Sequence, residues 1–230
     1  MANLRVDDLE IEVIRKKVRH IYISLLPPAG NVRMTVPAHL DHEMILSFAR
    51  AKLDWIKRQQ AKILARPLPP VPDYINGETH YFFGHPYELQ VLETTGRPRV
   101  ELNAGQSIIL FVRPQSTKEE RQKLLYAWYR RQLQAVIPGY LQKWQEVIGV
   151  TVKEWGVKRM KTKWGSCNIQ ARRIWLNLEL VKKSPHCLEY IIVHELIHLL
   201  ERYHNRRFYA YLTQYLPGWK EIKKELNSWF

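Results

Sequence analysis

The segment His194-Glu195-Leu196-Ile197-His198, with His204 six residues further on, carries the residue types of a hydrolytic metal centre. Two imidazoles one helical turn apart share a face and can grip one cation. A carboxylate beside the first imidazole can take a proton from a water that the cation has acidified. Three protein ligands leave a fourth position open, which a catalytic zinc site needs and a structural one avoids. The pattern predicts a zinc-dependent hydrolase, a peptidase in the first instance, with Glu195 as general base. One Zn2+ per chain is the expected cofactor, although nickel, cobalt or iron suits the same ligands.

A five-residue motif also arises by chance, so its surroundings matter. Ile192, Val193, Leu196, Ile197, Leu199 and Leu200 leave little of the helix polar. A helix apolar nearly all round is a buried one, and two His with a Glu are costly there without a partner. The competing interpretation is a pair of hydrogen-bonded core histidines with Glu195 in an ion pair. His204 is the favoured third ligand by proximity and ligand type. On an unbroken helix it would lie about 240° round from His198, so the helix must stop or bend between Leu199 and Tyr203. The spacing matches that of the metzincins, which place Gly at the third residue after the second His. Here that residue is Glu201, no Gly lies between Gly165 and Gly218, and all four Met precede residue 161. The chain is therefore not a metzincin, and Glu201, Glu221 and Glu225 are the alternative third ligands.

A chain of 230 residues, 46% hydrophobic and 11% aromatic, is a folded globular protein with room for one domain or two small ones. No apolar run approaches the roughly 18 residues of a membrane span. Residues Met1 to Asp8 contain no apolar signal core, which predicts a cytoplasmic protein without membrane partners. Two cysteines, Cys167 and Cys187, make no disulfide framework and suit a reducing compartment. Cys187 precedes His194 by about 10 Å of helix axis and reads as a core thiol. The net charge of +14 favours polyanions, nucleic acid or nucleotides among them. Scattered basic residues that merely keep the protein soluble would give the same total.

The fold class is α+β. Alternation at Leu9, Ile11 and Val13, at Ile21, Ile23 and Leu25, and at Val32, Met34 and Val36 predicts strands, with a hairpin turn at Pro27-Pro28-Ala29-Gly30-Asn31. Asp41 is an N-cap for a helix of about 24 residues ending at Arg66, followed by a stiff linker over Pro67 to Pro72. Further strands are expected at Tyr81–Phe83, Tyr87–Val91, Val100–Leu102 and Ile108–Val112. A long helix starts at Thr117 and is disturbed at Pro138-Gly139. Short strands near Val150–Trp155 and Ile174–Asn177 precede the His194 helix, and two more helices close the chain. No internal repeat is apparent. The expected division is an N-terminal β-rich domain with one long helix over residues 1–115 and a zincin-like domain, a metal-bearing helix on a small sheet, over residues 116–230.

Lys161-Thr162-Lys163-Trp164-Gly165-Ser166-Cys167, Leu176-Asn177, the run Tyr190 to His198, and His204 with Phe208 together resemble the YgjP-like metallopeptidase family. The early hairpin, the Trp55-Ile56 helix and the Tyr81-to-Gly84 segment extend the resemblance over nearly the whole chain. It implies a zincin-like catalytic domain with His194, His198 and His204 as ligands and Glu195 as base. The family looks related to SprT-like proteases that act on proteins attached to DNA, which would give the basic surface a purpose.

Peptide or protein is the expected substrate. Trp164, Gly165 and Ser166 are candidate substrate-binding residues, because a strand edge there could pair with an extended peptide; an ordinary turn with a core Trp is the plainer interpretation. Tyr203, Arg207 and Tyr209 are candidates for an oxyanion helper. A first rival is a metal-dependent nucleotide phosphoanhydride or phosphoester hydrolase using Lys158, Arg159, Lys161 and Lys163 on phosphate. Against it, the sequence has no Gly-rich phosphate loop. A second is a nucleic-acid-binding module with a structural metal, which lacks a fourth Cys or His at suitable spacing.

Overall fold

The structure is a computed structural model that describes residues 2–26, 29–65, 71–103 and 105–228. It divides into two compact units, residues 1–70 and 71–230. The expected helix end at Arg66, most of the proline linker and Pro27-Pro28 lie outside the described residues.

In the first unit, strands β1 (Ala2–Val6), β2 (Leu9–Lys16), β3 (Tyr22–Leu26) and β4 (Asn31–Pro37) form a sheet in the order β1-β2-β4-β3. The alternating Leu9, Ile11 and Val13, and Val32, Met34 and Val36, turn to one buried face. Helices α1 (His42–Ala51) and α2 (Leu53–Leu64) complete that core through Ile45, Ala49 and Ile56. Asp41 caps α1 as expected, its carboxylate accepting from the Met44 N–H at 2.7 Å. The single long helix of the sequence reading is broken at Lys52, whose ψ of 1° departs from helical geometry.

The second unit begins with β5 (Thr79–Phe82), β6 (His85–Glu93), β7 (Arg99–Asn103) and β8 (Ser107–Val112), ordered β5-β6-β8-β7. This is the topology of the first sheet again. In both, a two-residue turn joins the first antiparallel pair, Val6 opposite Leu9 and Phe82 opposite His85, and the second strand runs parallel to the fourth. Each set of four strands leads into helix. The repeat is invisible in the sequence because pairing depends on alternation and turn position, which many residue choices satisfy.

Helix α3 (Lys118–Ile148) starts at a capping box in which Thr117 and Glu120 bond each other's backbone. It ends at Gly149, which adopts φ 75°. Pro138 does not end it. The proline removes one backbone donor, but Leu133, Ile137, Leu141 and Trp144 keep the helix buried on both sides of that point. The expected boundary at residue 115 falls inside this unit, between β8 and α3. The reason is a shared core: Phe82 packs on Trp128 at 4.8 Å between ring centroids, and the Tyr129 hydroxyl donates to the Tyr81 carbonyl at 2.9 Å.

Strands β9 (Glu154–Lys158), β10 (Gly165–Asn168) and β11 (Arg173–Asn177) form a small mixed sheet ordered β10-β11-β9, with β10 at its edge. A 3-10 turn (Leu178–Lys182) then leads to α4 (Pro185–Ile197), α5 (Arg206–Tyr215) and α6 (Trp219–Asn227). The β5–β6 turn docks at the entrance to α4. Phe83 donates its N–H to the Val181 carbonyl at 2.7 Å, and Gly84, at φ 86°, lies so close to Ser184 that a Cβ would meet its backbone at 3.1 Å. Asn177 ties down the loop ahead of β10. Its buried amide donates to the carbonyls of Met160 and Lys163 at 2.9 and 2.7 Å and accepts from the Met160 N–H. Truncation strands those carbonyls, so Asn177→Ala should lose about 1–3 kcal/mol in urea denaturation; an unchanged midpoint would show that the clamp is dispensable.

Candidate active site

Helix α4 is buried along most of its surface by Leu188, Ile191, Ile192, Val193, Leu196 and Ile197. His194 and Glu195 therefore sit in an apolar wall, with Glu195 only 4% exposed. The helix ends at Ile197, and Leu200 and Glu201 both donate to carbonyls of its last turn. None of residues 199–204 adopts a positive φ, which is why the reversal needs no glycine. Asn205 then caps α5, accepting from the Phe208 N–H at 3.0 Å.

This reversal brings His204 back onto the helix. Candidate ligand atoms of His194, His198 and His204 lie within 4.8 Å of one another, and Nε2 of His204 is 3.0 Å from Nε2 of His194. Phe208, fully buried, forms the floor, with its ring 4.7 to 4.9 Å from each of the three imidazoles. Because a carbonyl only accepts, the Glu201 carbonyl 3.1 Å from His198 Nδ1 places that imidazole's proton on Nδ1 and leaves Nε2 as the free base. His194 Nδ1 is buried without a hydrogen-bond partner among the described residues.

Burial pushes His194 down to about 3, with the neighbouring His198, His204 and Lys223 adding to the shift. Burial also lowers His198 and His204. All three imidazoles are thus neutral at pH 7, the form that binds metal. Three neutral nitrogen donors converging at one point fit a zinc-like divalent cation, and a cation between His194 and His204 would satisfy both facing nitrogens. None of Glu201, Glu221 and Glu225 joins this cluster. Glu225 instead lies beside Cys187 and Lys183.

Burial raises Glu195 to about 8, against a smaller opposing pull from Lys163. A cation held by the histidines would draw that value back down. The carboxylate is pressed against β10, so closely that a Cβ on Gly165 would stand 2.5 Å from Glu195 Oε1. A larger residue there would push the Glu195 side chain aside. The Asn177 N–H donates to the Trp164 carbonyl at 2.8 Å, and hydrogen-bonded pairs alternate along an antiparallel ladder. Ser166 therefore pairs with β11, whereas Gly165 and Cys167 turn their backbone groups to the open edge. Burial lifts the Cys167 thiol to about 11, and nearby Glu195 adds to this.

Trp164, Gly165 and Ser166 line one side of a cleft of about 950 Å³ whose other walls include His194, His198 and His204. Sequence reasoning missed two further lining residues, Arg202 and Lys223. Nothing in an exposed, Lys-rich terminal helix distinguishes Lys223 from its neighbours. The expected oxyanion candidates do not line the cleft. Arg207 donates to the Tyr211 hydroxyl, Tyr209 stacks on Trp219, and Tyr203 is 65% exposed. The candidate phosphate cluster is dispersed as well. Lys158 lies over Trp175, Arg159 pairs with Glu179, and of these four basic residues only Lys163 lines the cleft.

No helix among the described residues is long and apolar enough to cross a membrane. Among solved structures, the chain is similar to the metallopeptidase zymogen abylysin of Pyrococcus abyssi, with 22% identity over 38% of this chain and 89% of that one and a TM-score of 0.36. It is also similar to the metallopeptidase zymogen jannalysin of Methanocaldococcus jannaschii, with 25% identity over 39% of this chain and 92% of that one and a TM-score of 0.35. No curated protein matches the chain. Residues 19–229 match the "YgjP-like, metallopeptidase domain" description, and the chain belongs to this family of metal-dependent peptidases.

Proposed function

We propose that the protein is a zinc peptidase in which His194, His198 and His204 hold the metal and Glu195 moves the proton. The observation that carries this reading is the convergence of three neutral imidazoles beside one buried carboxylate, at the mouth of a cleft with an open strand edge. A zinc ion held by His194, His198 and His204 would supply Lewis acidity to a water and to a substrate carbonyl.

The chain's own groups supply the rest. Glu195 takes a proton from the attacking water and hands it to the leaving amine, and a base poised near neutrality suits both transfers. Gly165 lets the carboxylate approach the strand edge. The free backbone groups of Gly165 and Cys167 pair with an extended peptide and hold its scissile bond beside Glu195. Phe208 excludes water from beneath the histidines, and the Glu201 carbonyl fixes the His198 ring.

Three variants test these assignments. Elemental analysis of protein purified without added metal should find about one zinc per chain in the wild type, lost in His204→Ala. Retention of zinc would move the third ligand elsewhere. Glu195→Gln should keep the metal and lower peptide turnover about 10²- to 10⁴-fold; undiminished turnover would remove Glu195 as the base. Gly165→Ala should also retain metal yet lose about 10²-fold in rate, because its methyl group displaces the carboxylate. Wild-type rates in that variant would rule out the close approach as a requirement.

A further inference from the structure

We infer that the cleft selects acidic peptides, with Lys163, Arg202 and Lys223 recognising carboxylate side chains that flank the bond to be cut. This deepens the peptidase reading and rests on it.

The three cations come from three separate segments: the loop before β10, the turn after α4, and α6. All three are exposed and line the cleft. Elsewhere some basic residues of this chain pair with acids, as in Lys57–Asp8, Lys118–Asp73, Lys143–Glu189 and Arg173–Glu154. Among the described residues, none of the three cleft cations forms an ion pair, although Arg202 lies over the Tyr203 ring and Lys223 over the Trp219 ring. The one acidic side chain in the lining is Glu195, which is buried. Apart from the pull of Lys163 on Glu195, the positive charge of the cleft has no acidic partner in its lining, and an acidic occupant supplies the counter-charge.

One feature favours an acidic peptide over a phosphate compound. The open edge at Gly165 and Cys167 matches an extended backbone, whose alternate side chains lie about 7 Å apart and so reach cations on different walls. Tyr190, Ile191, Leu199 and Leu200 add apolar lining for the remaining side chains.

The test uses the zinc-loaded Glu195→Gln protein, which holds peptides intact, and labelled eight-residue peptides with Asp/Glu, Asn/Gln or Lys flanking the central bond. Fluorescence anisotropy should show the acidic peptide binding about tenfold tighter than the neutral one, with the Lys peptide weakest. The gap should shrink as salt rises. Lys223→Ala and Arg202→Ala should each cut the preference about two- to fivefold, while Lys223→Arg retains it. Equal binding of all three peptides overturns the inference. So does a preference that survives simultaneous replacement of the three cations by Ala, or tighter binding of ATP than of the acidic peptide. The two levels separate by hydrolysis. Selective binding with no cleavage of any peptide by the wild-type holoenzyme refutes the peptidase reading alone. Equal cleavage of acidic and neutral peptides refutes the selectivity alone.

Discussion

Placing polar chemistry inside an apolar helix is the constraint on which the rest of the second unit depends. Helix α4 is buried on nearly every side, yet it carries two imidazoles and a carboxylate. An isolated polar group in such a wall costs several kcal/mol, so each needs a partner from outside the helix. The chain answers with His204 beside His194, the Glu201 carbonyl on His198, and the Phe208 ring beneath all three. The same burial keeps the imidazoles neutral and raises the carboxylate, so the environment that makes the helix costly also prepares its side chains.

The remaining elements hold α4 at the right depth and angle. The Phe83-Gly84 turn grips the entrance to the helix, and Asn177 holds the loop that delivers β10 to Glu195. These contacts explain why β5–β8 belong to the same compact unit as α4. The four-strand arrangement of residues 2–37 recurs in residues 79–112, and the second copy shares a core with α3 and α4. One strand pattern serves both as a compact unit with its own helices and as a support for the site.

Much of this was legible in the residues. The alternation of β2 and β4, the caps at Asp41 and Thr117, and the all-round apolarity of the His194 helix are local signals, and local signals survive in any fold that uses them. The long helix expected from Thr117 runs on through Pro138 because packing of Leu133, Ile137 and Leu141 outweighs the loss of one hydrogen bond. The break at Lys52 had no signal, since no Gly or Pro marks it.

The sequence by itself determined which groups could do chemistry: His194, Glu195 and His198 face one way because of the helical repeat, and their residue types suit a metal and a proton. Only the tertiary structure decided which distant groups join them. His204, Gly165, Phe208, Arg202 and Lys223 reach the cleft through a chain reversal, a strand edge and a packed terminal helix. No periodicity encodes those meetings, because contacts between elements depend on where whole surfaces pack rather than on the spacing of residues along any one of them.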